Sequence, residues 1–265
     1  MLLLVLTLAL GWFLPARWAI AWISPRLHGL QFHDVHGSLW DGRADHVLRA
    51  DGTVLGQVRW HVSRRALFAV EPLQVELTGP QLAFSGSMQA PRNGQVRWDD
   101  VRLRADLAPW RLPVLSALGN PLGKLSMTVD HALLQDGWPL QLELRAQWRG
   151  AAVFVRGRRV ALGAVDAQAI ARAGVVDITL TDVDNGPLQV LGAMRLSPLG
   201  WGLNLHLHPR QADPALRQWL ATLGKPDAAG TVHVQRRVGL MLIPSMPPTS
   251  LPSSGMPTGT QRGKP

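Results

Sequence analysis

The residues best equipped for chemistry crowd the first part of the chain, where His28, His33, His36 and His46 are interleaved with Asp34, Asp41 and Asp45. Imidazoles and carboxylates are the donor set of a metal centre, and Asp34, Asp41 or His36 could serve a hydrolase in acid–base roles. No ligand spacing recurs among them, and a polar strand–turn segment turns such groups to water, so they read as a solvated face. The run from Gly119 to Ser126 (GNPLGKLS) looks like a phosphate loop, in which glycines free backbone N–H groups to cradle an anion. Its glycines stand too close for that, Leu125 separates Lys124 from Ser126, and a strand follows. His206 and His208 share one strand face opposite Leu205 and Leu207 and read as exposed. The three glutamates, Glu71, Glu76 and Glu143, make no close pair for acid–base work. G-x-S-x-G, H-E-x-x-H and G-x-G-x-x-G are all missing. With no cysteine, a disulfide framework, a thiolate zinc site, an iron–sulfur cluster and a cysteine nucleophile are excluded. The expectation is a chain with no catalytic residues, no metal and no cofactor, not an enzyme.

One block stands out for its packing. In Gly37-Ser-Leu-Trp40-Asp-Gly42-Arg-Ala44, an extended backbone puts Trp40, Gly42 and Ala44 on one face. The two small residues leave room for the Trp40 indole over the backbone, and Gly37 permits a bend before the strand. This predicts a packing device at a sheet edge, not a binding site.

The elements that must position these residues show a period of two. Val58, Trp60 and Val62 alternate with Arg59 and His61, and Leu73, Val75 and Leu77 with Gln74 and Glu76. The rhythm returns at Val101–Leu107, Leu125–Val129, Leu140–Trp148, Val176–Leu180, Leu188–Leu196 and Trp201–Leu207. Each run predicts a strand with one buried and one wet face. Asp51-Gly52, Asn93-Gly94, Asp136-Gly137 and Asn185-Gly186 mark turns between them. Short helices are expected over 110–118 and 213–223, the second with Asp213 as N-cap, Pro214 in the first turn and Gly224 past the end. Both are followed by similar text, Leu118-Gly-Asn-Pro121 and Leu223-Gly-Lys-Pro226. The fold class is therefore mainly β: antiparallel meander sheet or sheets in two similar halves, each with one short helix, after an N-terminal transmembrane helix. The expected division is an anchor at 1–23, a β-rich domain at 24–243 (halves 24–123 and 124–243) and a disordered Pro/Ser-rich tail at 244–265.

Residues 1–23 carry the apolar content to cross a bilayer, with Arg17 near one end and Trp12, Trp18 and Trp22 suited to an interface. A single-span anchor is the first reading. A cleaved signal peptide ending at Ala19-Ile-Ala21 is the rival, opposed by Arg17 and the bulky Trp18 and Trp22 around that site. Both put the rest of the chain outside the cytoplasm. The net charge of +9 favours polyanions, but the basic runs (Arg64-Arg65, Arg156–Arg159, Arg236-Arg237) are too short to mark a nucleic-acid tail, so no nucleic-acid partner is expected.

Several of these features, in this order, resemble protein N of the bacterial type II secretion system (general secretion pathway protein N). They are the apolar leader, the Gly37–Ala44 block, Trp60–Leu67 before the strand at Leu73, Leu122-Gly-Lys-Leu125 opening a mid-chain strand, and the helix at Pro214–Leu223 followed by Leu223–Pro226 and Gly230. The resemblance covers about residues 2–240. It implies a single-pass component of the bacterial inner membrane with its bulk in the periplasm and no catalysis. It further implies a part in protein export across the outer membrane through contacts with other inner-membrane subunits and the outer-membrane secretin. The related fold is that of AsmA-like membrane-biogenesis proteins. This opens a second expectation, a lipid-handling or envelope-biogenesis module whose sheet offers an apolar groove to acyl chains. The proline-rich tail and the lack of a basic residue before the anchor depart from the family pattern.

Overall fold

The computed structural model describes residues 16, 29–67, 72–90, 94–110, 119–239 and 244. The alternating runs form thirteen strands: β1 (Leu30–Gly37), β2 (Asp41–Arg49), β3 (Val54–Val62), β4 (Leu73–Thr78), β5 (Leu82–Gln89), β6 (Gln95–Asp106), β7 (Asn120–Gln135), β8 (Trp138–Val155), β9 (Arg158–Arg172), β10 (Val175–Asp182), β11 (Leu188–Ser197), β12 (Gly200–Pro209) and β13 (Val232–Gly239). They pair in sequence order in one 13-stranded sheet, every pairing antiparallel. Tight hairpins make this order possible. Asp136-Gly137, Arg156-Gly157 and Ala173-Gly174 each place two successive residues at positive φ (50° and 83°, 49° and 79°, 49° and 80°), the turn whose twist matches the flanking strands.

Register gathers the alternation of each strand into two continuous surfaces. One row of Cα partners crosses the whole sheet: Val35, Ala44, Val58, Leu77, Phe84, Leu103, Met127, Ala146, Ala167, Leu180, Gly192, Leu205, Val234. No polar side chain interrupts it. The neighbouring row, one residue along, is His36, Arg43, Arg59, Glu76, Ser85, Arg102, Thr128, Arg145, Gln168, Thr179, Ala193, Asn204, Gln235. Successive residues of a strand point to opposite faces, so the sheet has an apolar inner face and a polar outer one. At about 4.8 Å between strands the apolar row runs for nearly 60 Å. Single inserted residues keep the rows in phase. Asp100 sits at φ 53° between Trp98 and Val101, an extra residue opposite β5, so both still face inward although they are three positions apart.

The inner face is covered at one end by α1 (Pro214–Leu223). Asp213 caps it as expected, its side chain accepting from the Ala215 N–H at 2.8 Å, with Pro214 in the first turn. Leu216, Trp219 and Leu220 turn onto Ala151, Val153, Val160, Leu162, Leu188, Val190, Leu207 and Val232, forming the largest buried cluster. Smaller clusters lie along the rest of the face: Ala44, Val47, Leu55 and Val58 on β2–β3; Val101, Val129 and Ala132 on β6–β7; Ala169, Ala171 and Val176 on β9–β10.

Three expectations need comment. The helix expected at 110–118 falls almost wholly on residues outside the described ones, as do the span at 1–23 and nearly all of the tail. Among the described residues no helix is long and apolar enough to cross a membrane. The boundary expected between 123 and 124 lies inside β7, and the two stretches of similar text behave differently. Asn120 and Pro121 are already paired in β7 with Phe154 and Val153, whereas Pro226 makes a lone bridge to Val232 beside a turn held by Asp227.

Candidate functional site

The Gly37–Ala44 block builds the corner between β1 and β2. Gly37 ends β1 at φ +88°, opposite Gly42, and a Cβ there would lie 2.9 Å from the Gly42 Cα. The turn closes with Ser38 N–H donating to the Asp41 carbonyl at 2.8 Å, while Ser38 Oγ accepts from the N–H groups of Trp40 and Asp41 at 3.3 and 3.1 Å. β3 then pins this turn from the side. The Trp60 indole donates to the Leu39 carbonyl at 3.2 Å, and the Val62 N–H to the Trp40 carbonyl at 2.7 Å. Trp60 also supplies the ring over Gly42: a Cβ on Gly42 would stand 2.7 Å from Trp60 Cε2, nearer still to Cζ2, and 2.8 Å from the Ser38 carbonyl oxygen. The sequence pointed to Trp40 for that ring. Trp40 is buried, but the indole on the glycine comes from the facing strand, because Gly42 and Trp60 are cross-strand partners. Ala44 is fully buried between Val35 and Val58.

The same device recurs. Trp148 donates to the Leu122 carbonyl at 3.0 Å beside Gly123, where φ is +114°, and Trp138 donates to the Gly174 carbonyl at 2.8 Å. In each case an indole covers irregular backbone at the sheet and gives its carbonyl a partner, which apolar side chains cannot do. The blocks Gly37–Ala44 and Trp60–Leu67, separate in sequence, are thus one structural unit; Trp60 was visible as a strand residue, but its partner was not.

The candidate chemical groups spread over the outer face. His46 Nδ1 meets Asp34 Oδ2 at 3.0 Å and His36 Nε2 meets Asp45 Oδ2 at 3.4 Å, in pairs at the surface. His28 and Glu71 fall outside the described residues. Among the described residues no three His, Asp or Glu side chains converge on a point. Glu143 binds Arg145 at 2.8 Å, and Glu76 lies far off on β4. Gly119–Ser126 runs into β7 as extended chain and forms no loop before a helix.

β12 and β13 correct one expectation. His206 and His208 are half-buried, not exposed, because β13 lies beside them. The rings of His206 and His233 meet edge to face with centroids 4.2 Å apart, and His233 Nε2 lies 3.4 Å from Asp227 Oδ2. Burial lowers the pKa of His206 below its ordinary value, and the nearby His233 lowers it further. The unfolded chain takes the proton more readily, so this contribution is fully present above about pH 6.5 and is lost as pH falls through and below that value. The thermal midpoint should therefore drop between about pH 7 and 5. His206→Gln should flatten the curve in that window, and an unchanged slope would remove His206 as the cause. Asp227, held below its ordinary value chiefly by the Thr231 N–H, contributes stability that is fully present above about pH 3.8 and is lost only as pH falls below it.

What the arrangement offers is surface: two long faces, two strand edges and a helix docked at one end, with no cluster of three metal-ligating side chains among the described residues. Comparison with known proteins assigns the chain over most of its length. Neither a curated protein nor a solved structure matches it. The family model for protein N of the type II secretion system matches residues 28–235, that is, from just before β1 into β13. The sheet up to the middle of β13, its Trp-clamped corners and α1 lie within that match, and the chain belongs to the type II secretion system protein N family.

Proposed function

We propose that this chain is a non-catalytic scaffold of the type II secretion machine, held by residues 1–23 in the inner membrane with its sheet in the periplasm. There it joins other inner-membrane subunits and the secretin through direct contacts. The observation that carries the reading is the open end of the meander at β13. Its eight residues pair with β12 without a register skip, and among the described residues its other edge pairs with no strand. Such an edge can take a strand from a partner, backbone to backbone. The opposite edge is less suited, because Asp34 in β1 sits at φ 53°, where the pairing with β2 skips a residue although the register continues on either side. In this reading Gly37, Trp40, Gly42 and Ala44 are structural residues that hold the β1 corner.

The test is deletion of the gene in a strain that secretes by this route. Exoproteins should accumulate in the periplasm and the level of assembled secretin complex should fall. Unchanged secretion together with unchanged secretin complex would refute a required role. Carbonate-resistant membrane association of the full chain, with protease access from the periplasm, tests the anchor and its orientation.

A second reading, lipid handling, is favoured by one feature: the apolar row that crosses all thirteen strands while α1 covers only one end of the inner face. Most of its large side chains, such as Met127, Leu103 and Leu205, are only half-buried, an unusual amount of apolar surface for one face of a sheet.

A further inference from the structure

We propose that the cleft between α1 and the β8–β9 turn binds an anionic phospholipid. Its phosphate would lie against Arg156 and Arg158, and an acyl chain would run over Val160 and Trp219 onto the inner face. The inference rests on the lipid-handling reading and gives it an entry point and a headgroup charge.

The cleft has a volume of about 250 Å³ and an amphiphile's polarity. Val155, Val160, Ala215 and Trp219 line its interior, and Arg156 and Arg158 stand at its mouth. Among the described residues neither arginine has a carboxylate within ion-pairing distance, unlike Arg145, Arg195 and Arg210, so both are available to a phosphate. Arg156 has its backbone fixed in the two-residue turn with Gly157, so both guanidinium stems start from set positions beside the cleft. Beyond the cleft the inner face continues through Val165, Ala167 and Leu180 without a hydrogen-bonding side chain. A peptide laid there would bury N–H and C=O groups with no partners, at several kcal/mol in all, whereas an acyl chain has none to bury.

The topology points to the same occupant. In a meander alternate strands run in opposite directions, so the start of β1, the β8–β9 turn and the β12–β13 connection bearing α1 all lie at one end of the sheet. The apolar leader, residues 1–23, joins the sheet at that end, only a few residues before Leu30. The cleft therefore opens at the same end of the sheet as the leader's point of attachment, about seven strand spacings across from it.

The experiment uses the full chain extracted in detergent and examined by native mass spectrometry with added phosphatidylglycerol or phosphatidylcholine. Wild type should retain phosphatidylglycerol in preference to phosphatidylcholine. Arg156→Asn with Arg158→Gln keeps a residue that tolerates the positive φ and should lower phosphatidylglycerol occupancy about tenfold, as expected for the loss of one or two charge-assisted hydrogen bonds. Thr222→Trp, an exposed helix position on the cleft wall, should exclude both lipids while leaving the thermal midpoint within a few degrees of wild type. Lipid carried by residues 1–23 is common to every variant and cancels in the comparison. Equal retention by wild type and both variants would overturn the cleft assignment and leave lipid handling standing. No lipid retained by any of them would overturn both.

Discussion

Gly42→Val should cost the fold about 3 kcal/mol or more and leave little folded protein on expression at 37 °C. At this position even a Cβ would press on the Trp60 ring and come within 2.8 Å of the Ser38 carbonyl oxygen. The ring cannot swing away freely, because its N–H is committed to Leu39 and its outer surface packs in the cluster around Ala44 and Val58. The carbonyl belongs to the turn itself. Overpacking usually costs about 1–3 kcal/mol, and valine, with two methyls beyond the Cβ, meets backbone as well as side chain, which moves it to the top of that range. Urea denaturation of wild type, Gly42→Ala and Gly42→Val should show a graded loss. Adding Trp60→Leu to Gly42→Val should recover part of it, since the two share a contact and are therefore non-additive. A valine variant within 0.5 kcal/mol of wild type would mean that the indole does not lie over this glycine.

Leu216→Ala is the other large effect. Leu216 is fully buried under α1 and is flanked there by Trp219 and Leu220. Truncation leaves a cavity between helix and sheet and should cost about 3–4 kcal/mol, within the range for buried leucines. Leu216→Met, which keeps the volume, should cost less than about 1.5 kcal/mol. The damage should be local first. With α1 loosened, the 210–231 segment should be cut by protease well before the hairpins of β6–β9, whose stability does not depend on it. Equal resistance in the alanine variant and wild type would show that α1 contributes little to holding this end together.

Both predictions rest on contacts that residue types alone do not reveal, and the boundary between legible and illegible is instructive. The strands at 58–62, 73–77, 125–129, 140–148 and 201–207 could be read directly, because alternation is a property of each strand by itself. β6 was legible only in part. The rhythm from Val101 onward was visible, but Val96 and Trp98 were out of phase with it until the extra residue at Asp100 brought them to the same face. Gly224 was expected just past the end of the helix, and there it stands. Its backbone is extended at φ −180°, and its lack of a side chain serves close approach, since a Cβ would touch Val232 at 3.0 Å. Of the corner residues, Gly37, Trp40, Gly42 and Ala44 could be singled out, and Trp60 was noted separately. Nothing in a spacing of some twenty positions says that one residue's ring covers the other's backbone.

The sequence by itself determined the two-sidedness of this protein. A side-chain period of two is set by the geometry of a single extended chain, so the division into apolar and polar residues is written strand by strand before any pairing occurs. It also determined α1, whose cap and first-turn proline act within a few residues of one another. Only the tertiary structure decided that the thirteen runs join into one open sheet, that their apolar faces align in an unbroken row, that Trp60 meets Gly42, and that α1 leaves an arginine-rimmed cleft beside the β8–β9 turn. These depend on register, and register is settled by all the strands together: shifting one pairing by a single residue would send a whole strand's apolar side chains to the opposite face.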